Sequence, residues 1–446
     1  MTLIVPNNRL AAYEAAFASN MQALNLKPQT RFMTALSGGP DSTALACLAN
    51  RYARSHGKEH QAVIVNHNIR PDATNEALRV NQRMKDRGIA SRILTIDNKS
   101  PATGLQEWAR NQRFAALTKL ARQQGAVLLV AHHHADQVET VLMRLAHGSG
   151  VVGLAGMRSV TLRDGVLVAR PLLNWHAKSL VDVLGLFGCD YEEDPSNQNS
   201  QFERVKMRNF LRDAATSGAF RADDAFRLGR VMQSLSDYLG MASAKLWQAA
   251  TCMFPTGHAV IDIEKLSNLP QPAWNYRVRQ LIRQIGGRPY GVKDVSLTGL
   301  KERLLAGQNS TLGGCQFVKS LRRNESASFY VVNELGRAPE VMDVAANDDV
   351  IFAGCWRVLT KRAGRLMHAE VLAKSDQPAA LKAWPADIVA LPYVVRRAIP
   401  VFITLDGEVF HPQLIRMNTE VASIETALSA EFLGRSFVVM TKEINC

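Results

Sequence analysis

Residues 32–52 read FMTALSGGPDSTALACLANRY, and this stretch decides the fold. Phe32 to Leu36 is a short apolar run, and Thr43 to Tyr52 has the composition of a helix. Between them lies Ser37-Gly38-Gly39-Pro40-Asp41-Ser42, a strand-to-helix turn with two glycines. Glycines there let backbone N–H groups face an anion with no Cβ in the way, and the helix beyond supplies the positive end of its dipole. Ser37 and Ser42 add hydroxyls, and Asp41 is a carboxylate suited to a Mg²⁺ ion beside phosphates. No lysine follows the glycines, so this is not the loop of NTPases that transfer a γ-phosphoryl group. An ordinary turn with Asp41 or Ser42 as helix cap is the structural alternative.

Working outward, apolar runs and helix patterns alternate. Ala62 to Val65, Arg92 to Ile96 and Ala126 to Val130 read as strands. Thr74 to Lys85, Leu105 to Ala121 and Gln137 to Leu145 read as helices. That alternation predicts a Rossmann-like α/β fold, a parallel sheet covered on both faces. Ligands in such sheets sit beyond the carboxyl ends of the strands, where the segments starting at Ser37, Asn66 and His132 begin. Leu162 to Arg170 reads as a hairpin turning at Asp164-Gly165. From Phe202 onward helices dominate: Phe202 to Ala215, Asp223 to Lys245, Trp274 to Ile285 and Val292 to Leu305. Two short strands, near His258 to Ile263 and Gln316 to Val318, interrupt them, and strands return at Trp356 to Leu359 and Val401 to Thr404. The expected organisation is a catalytic domain over 1–215, a mainly helical domain over 216–340 and a small α+β domain over 341–446.

Composition narrows the class. The chain has 446 residues, too many for one core, and 53 Lys+Arg against 40 Asp+Glu leave a net charge of +13, which suits a polyanionic partner. Six scattered cysteines contain no Cys-x-x-Cys pair, which argues against a zinc knuckle or an iron–sulfur run and for reduced, packed thiols. The N-terminus does not read as a signal peptide, and no stretch holds about 18 uninterrupted apolar residues, so a cytoplasmic protein with no membrane span is expected.

The turn at 37–42 resembles the signature of the N-type ATP pyrophosphatases, which cleave ATP to AMP and pyrophosphate while adenylating a substrate. Further motifs choose within that superfamily. Asn66-His67-Asn68-Ile69-Arg70-Pro71, Trp108 to Phe114 (WARNQRF) and Ala131 to Thr140 (AHHHADQVET) are similar to three motifs of the tRNA(Ile)-lysidine synthetases. Arg144-Leu145, Gly148 to Met157, Arg170-Pro171-Leu172-Leu173, Asp194-Pro195-Ser196-Asn197 and Phe202-x-Arg204 follow in that family's order. The resemblance is dense over about 30–212 and thin beyond. Asn66 stands where the family usually has Asp, Ala135 replaces the first of an Asp pair, His147 replaces an Arg, and Val205-Lys206 break a basic run.

The resemblance implies an adenine nucleotide α-hydrolase-like fold and a two-step ligation. The wobble cytidine of a CAU-anticodon tRNA(Ile) is adenylated by ATP, and the ε-amine of L-lysine displaces AMP, changing the codon read from AUG to AUA. Ser37, Gly38, Gly39, Pro40, Asp41 and Ser42 would then hold ATP, with Asp41 on Mg²⁺. Asp136 and Glu139, three apart at a helix start, suit an ammonium and are assigned to lysine, with Arg204 on its α-carboxylate or on the nucleotide. Without the family, they read as an acidic helix start facing the dipole. Arg110 and Arg113 share a helix face, and one of them is expected to stabilise charge on the α-phosphate. His132 is expected to orient a ligand or a carboxylate, while His133 and His134 read as bystanders, with a His-rich metal site the alternative that lacks the i, i+4 spacing of a zinc helix. RNA contacts are expected from Arg204, Lys206, Arg208 and Arg212, from Arg277, Arg279 and Arg283 beside Trp274 and Tyr276, from Lys319, Arg322 and Arg323, and from Arg396-Arg397. The oligomeric state stays open, a homodimer included. A tRNA 2-thiolation enzyme is the nearest rival and fits the isolated cysteines poorly. A glutamine-dependent amidotransferase lacks its ammonia source. A non-catalytic RNA-binding protein would not need both the turn and the acidic pair.

Overall fold

A computed structural model describes residues 6–27, 31–66, 68, 72–96, 105–192, 203–216, 218, 220–254, 256–287, 291–321, 327–336, 339–374, 386–410 and 428–432. The motif residues His67, Ile69, Arg70, Pro71, Asp194 to Asn197 and Phe202, and the basic Arg322 and Arg323, lie outside them. The chain forms two compact units, Met1–Leu235 and Ser236–Cys446.

In the first unit a helix that the sequence reading did not anticipate, α1 (Pro6–Ala23), comes first, and then β1 (Arg31–Leu36), α2 (Pro40–Ser55), β2 (His60–Asn66), α3 (Ala73–Asp86), β3 (Ser91–Thr95), α4 (Leu105–Gln123), β4 (Ala126–Leu129) and α5 (His134–Ala146) alternate as expected. After α6 (Val151–Leu154) come β5 (Val160–Arg163), β6 (Val166–Ala169), α7 (Ala177–Phe187) and α8 (Glu203–Thr216), and α9 (Ala222–Ala250) runs on past the end of the unit. The sheet order is β3-β2-β1-β4-β6-β5. All pairings are parallel except the β5–β6 hairpin at the edge. Asp164 and Gly165 at the hairpin turn have φ of 49° and 75°, the left-handed pair that matches the twist of two adjoining strands.

Alternation along the strands builds two cores. Phe32 and Leu36 of β1 face Leu45, Leu48, Val80 and Leu180 from α2, α3 and α7. Met33 faces the opposite way, with Phe114, Leu117 and Leu120 of α4. With both faces covered, the sheet presents only its strand ends to ligands. The chain winds one way from β1 to β3, then crosses to β4 on the other side of β1. The loops leaving β1 and β4 therefore diverge at the switch point, where open α/β sheets bind ligands.

In the second unit, β7 (Thr251–Met253), β8 (Ala259–Asp262), α10 (Ile263–Leu266), α11 (Gln271–Ile285), α12 (Asp294–Leu305), β9 (Ser310–Leu312), β10 (Cys315–Lys319) and β11 (Ser328–Asn333) pack around Trp274, Leu281, Ile285, Phe317 and Phe329. Helices still make up most of the regular structure of this segment, and strands were expected near His258 to Ile263 and Gln316 to Val318, but the sheet has more strands than those two. Its helices share a core with a five-stranded sheet, order β7-β8-β11-β10-β9, whose strands are only three to six residues long. Runs that short carry too few alternations to stand out between helices. Beyond them, strands β12 (Val341–Val344), β13 (Asp349–Phe352), β14 (Trp356–Thr360), β15 (Gly364–His368), β16 (Pro400–Thr404), β17 (Val409–Phe410) and β18 (Leu428–Phe432) form two small antiparallel sheets. Among the described residues no helix is long and apolar enough to cross a membrane.

Candidate active site

The 37–42 turn has the conformation its glycines promise. Gly38 has φ +88°, and a Cβ there would lie 2.7 Å from Val80 Cγ2, so both backbone and space require glycine. Gly39 caps α2 in an extended conformation, and Pro40 sits in the first turn, where no intrahelical donor is needed. The Ser37 N–H donates to Ser42 Oγ at 3.1 Å, Ser42 Oγ donates to the Gly39 carbonyl at 3.1 Å, and Thr43 Oγ1 donates to the Gly38 carbonyl at 3.2 Å. The turn is thus braced from within, leaving the first-turn N–H groups of α2 without intrahelical partners. The Glu192 N–H closes its outer side on the Gly38 carbonyl at 2.9 Å.

The loop after β4 lies beside it. His133 caps α5: its Nδ1 accepts from the Ala135 N–H at 3.2 Å, and its own N–H donates to Asp136 Oδ2 at 3.1 Å. That leaves the proton on Nε2, which points at Asp41 Oδ2 at 3.4 Å and lies 3.7 Å from Asp136 Oδ2. One imidazole bridges the glycine turn and the acidic pair. Burial opposes its protonation, but the hydrogen bond to Asp41 and the charge of Asp136 outweigh burial and raise its pKa. The reading of His133 as a bystander is corrected. Its role was invisible in sequence because it depends on β1 and β4 being sheet neighbours.

Asp136 and Glu139 are both buried on α5. Burial pushes the Asp136 carboxyl up, but His133, His132, the His133 N–H and Arg204 together hold it below its usual range. Glu139 Oε1 accepts from Arg208 Nε of α8 at 2.6 Å, while Oε2 is buried and has no hydrogen-bond partner among the described residues. Arg208 also reaches Asp136 at 3.9 Å, so this residue, expected at an RNA surface, reaches into the acidic pair. His132 is driven down to about pKa 3, first by desolvation and further by Arg170, Arg110 and Arg204 against the opposing pull of Asp136. It is neutral at physiological pH, and its Nδ1 is buried with no partner among the described residues. An orphaned carboxylate oxygen and an orphaned ring nitrogen, seven residues apart in the loop after β4 and the helix it opens, leave buried hydrogen-bonding capacity for a polar ligand.

Guanidinium groups close the other side. Desolvation, then Arg204, Arg163 and Arg113, lower the pKa of Arg110, while Asp136 raises it. Arg163, to which sequence reading gave no role, packs over the Phe114 ring at 4.1 Å. Arg170 is anchored on the Arg158 carbonyl and Thr161 Oγ1, both at 3.0 Å. Like charges gathered this way favour an anion among them.

Other motif residues are structural. Gln137 exchanges hydrogen bonds with Met157, giving one to its carbonyl at 3.1 Å and taking one from its N–H at 2.7 Å. Arg144 donates to the carbonyls of Gly153 and Gly156. These bonds clamp the 148–157 segment to α5. Asn66 donates to Thr74 Oγ1 and accepts from the Asn68 N–H, so it braces a turn and supplies no carboxylate.

The expected RNA residues divide. Lys206 and Arg212 on α8 are exposed, as is Arg283 on α11. Arg277 is held by Ser243 Oγ and the Gly240 carbonyl, and Arg279 by Asp294 and the Val292 carbonyl. Trp274 is fully buried, with Nε1 donating to the Leu297 carbonyl, so it is a core residue.

Residues 13–215 match the PP-loop domain family. The chain is 43% identical over 188 residues to a tRNA(Ile)-lysidine synthase of a Bradyrhizobium species, covering 42% of this chain and 52% of that protein. It thus spans about half the length of that relative. It is 35% identical over 289 residues to the tRNA(Ile)-lysidine synthase of Methylobacterium nodulans, covering 63% of this chain and 85% of that one. With the synthase of Hyphomonas neptunium the identity is 33% over 318 residues, 69% of this chain and 83% of the relative. Likeness sustained along that much of two relatives means that the chain belongs to the tRNA(Ile)-lysidine synthase family of PP-loop ligases, as the motif series implied.

Proposed function

We propose that this chain ligates L-lysine to C2 of the wobble cytidine of the CAU-anticodon tRNA(Ile) in the cytoplasm, through an adenylated-tRNA intermediate. The observation that carries this is the His133 bridge, which puts Asp41 of the glycine turn and Asp136 of the acidic pair within reach of one imidazole. In the first step the C2 oxygen attacks the α-phosphorus of ATP and pyrophosphate leaves. In the second the lysine ε-amine attacks C2, and AMP departs with that oxygen.

The turn at Ser37 to Ser42 holds the triphosphate, and Arg110, next to Asp136 and Arg204, meets the charge growing on the α-phosphate. Arg113 stands three residues on along α4 and is the second arginine available to the nucleotide. The donor set suits Mg²⁺: Asp41 offers one carboxylate beside the phosphate turn, and Mg²⁺ takes one or two carboxylates plus phosphate oxygens. When bound there, the ion would screen phosphate charge. Glu139 Oε2 and Asp136 receive the lysine ammonium, and Arg204 its α-carboxylate. Free lysine has a pKa near ~10.4, so its amine must lose a proton before attack, and Glu139 or Asp136 accepts it. Neutral His132 donates or accepts a hydrogen bond without adding charge beside the amine. Residues 1–215 would be the catalytic domain, 216–340 the tRNA-contacting domain and 341–446 a smaller third one. Of the basic segments proposed to meet RNA (Arg204, Lys206 and Arg208, with Arg277, Arg279 and Arg283), Lys206 and Arg283 are exposed, while Arg208 is drawn to the acidic pair and Arg277 and Arg279 are held by internal hydrogen bonds.

The test incubates the purified chain with ATP, labelled lysine and a tRNA pool. The label is expected on one nucleoside of one tRNA, with one AMP and one pyrophosphate released per lysine. Omitting lysine is expected to leave adenylated tRNA. Label on no nucleoside, or on the 3′-terminal adenosine, defeats the proposal.

A further inference from the structure

Three side chains outside the catalytic group converge from three helices. His134 opens α5, His176 is the residue capping α7, and Asp223 lies in the first turn of α9. One ligand atom from each lies within 4.8 Å of the other two, the only such group of three or more His, Cys, Asp or Glu among the described residues. His134 Nε2 is 3.2 Å from Asp223 Oδ1, and the His134 and His176 ring centroids are 4.4 Å apart. Phe226 stacks on His134 at 4.4 Å with an interplanar angle of 27°.

We propose that His134, His176 and Asp223 form a site for a divalent transition metal, with zinc the best-fitting ion. Zinc accepts histidine nitrogen and carboxylate oxygen at about 2.0–2.2 Å in tetrahedral array, which sets ligand atoms about 3.4 Å apart. His134 and Asp223 already stand at that spacing. The third ligand, His176, is exposed, and a change of its side-chain rotamer would cover the remaining distance. Two imidazoles with one carboxylate select zinc, cobalt or nickel over magnesium or calcium, which want an all-oxygen shell. His134 is buried while the other two are exposed, so the ion would be fixed on its inner side and keep a water on its outer side. An ion there ties the starts of α5, α7 and α9 together. It thereby steadies the first turn of α5, which carries Asp136 next to its cap His133.

The experiment uses the full chain without an affinity tag, stripped of metal by a chelator. Co²⁺ is titrated while its visible absorption is followed, and Zn²⁺ is titrated by calorimetry. One ion per chain is expected, with binding at least about tenfold weaker in H176A and in D223N. Both replaced side chains are exposed, so both variants should fold, as circular dichroism will check. At one Zn²⁺ concentration, the unfolding temperature of the parent chain should rise more than that of either variant. No binding by the parent chain would overturn the site. So would parent-like isotherms in both variants, since the ion would then sit elsewhere, for instance on His132, His133 and Asp41.

Discussion

At the scale of single residues, the decisive one is His133, because it does two separable things. Its Nδ1 caps α5, and its Nε2 joins Asp41 to Asp136. Replacing His133 by Ala removes both and should cost about 1 kcal/mol of stability through the lost cap. Asn retains a capping oxygen but is too short to bridge, so His133→Asn should recover the stability without the bridge. Lysidine formation should fall by about a hundredfold or more in both variants, the size seen when a preorganised polar contact at a reacting centre is removed. Equal activity in His133→Asn and the parent chain would show that the bridge is packing and not chemistry. Glu139→Gln probes the neighbouring contact. It weakens the bond to Arg208 and leaves an amide where a lysine ammonium is to sit, so the KM for lysine should rise more than the KM for ATP.

Among elements, β1 with its turn and α2 is where sequence was most legible, since glycine, proline and a first-turn carboxylate each have a local physical meaning. Gly38→Ala tests that reading. The new methyl would meet Val80 at 2.7 Å in a backbone at φ +88°, so two penalties act together. The variant should lose more than about 1 kcal/mol of stability and weaken ATP binding. Adding Val80→Ala opens the space without changing φ, so it should restore part of the stability while ATP binding stays weak, as paired denaturant and nucleotide titrations can show. The strands and helices from β1 to α5 were legible for the same reason, each run long enough to show its period, whereas α1 and α7 were not read from the sequence. What was not legible depended on which elements become neighbours. Arg208 finds Glu139 only because α8 packs beside α5, and Trp274 is a core residue only because short strands form a sheet against α11. A histidine or an arginine looks the same in sequence whether it meets water, a phosphate or a carboxylate.

Taken as a whole molecule, the chain carries +13, and an RNA partner should feel it. Its affinity for tRNA should fall about a hundredfold or more between about 50 and 200 mM salt, as counterion release demands for several phosphate contacts. A flat response would mean the excess charge only keeps the protein soluble. Acid stability is the other global property that the fold sets, and His258 gives it a local handle. This imidazole is buried, stacked on Phe254 at 4.4 Å with an interplanar angle of 2° and bonded to Thr256. Burial pushes its pKa down to about 4 from the usual 6.5. Because the folded value is depressed, the unfolded chain binds more protons between those two limits. The contribution of His258 is therefore complete above pH 6.5 and is lost as pH falls toward 4, amounting to roughly 3 kcal/mol. In His258→Phe the stack on Phe254 persists but nothing titrates. Urea midpoints of the second unit's transition should then fall less between about pH 7 and about pH 5 than in the parent chain, even if the variant starts lower for want of the Thr256 contact. Parallel pH profiles for the two proteins would mean that His258 is protonated as readily in the fold as in the unfolded chain, and that its burial exacts no proton-linked cost.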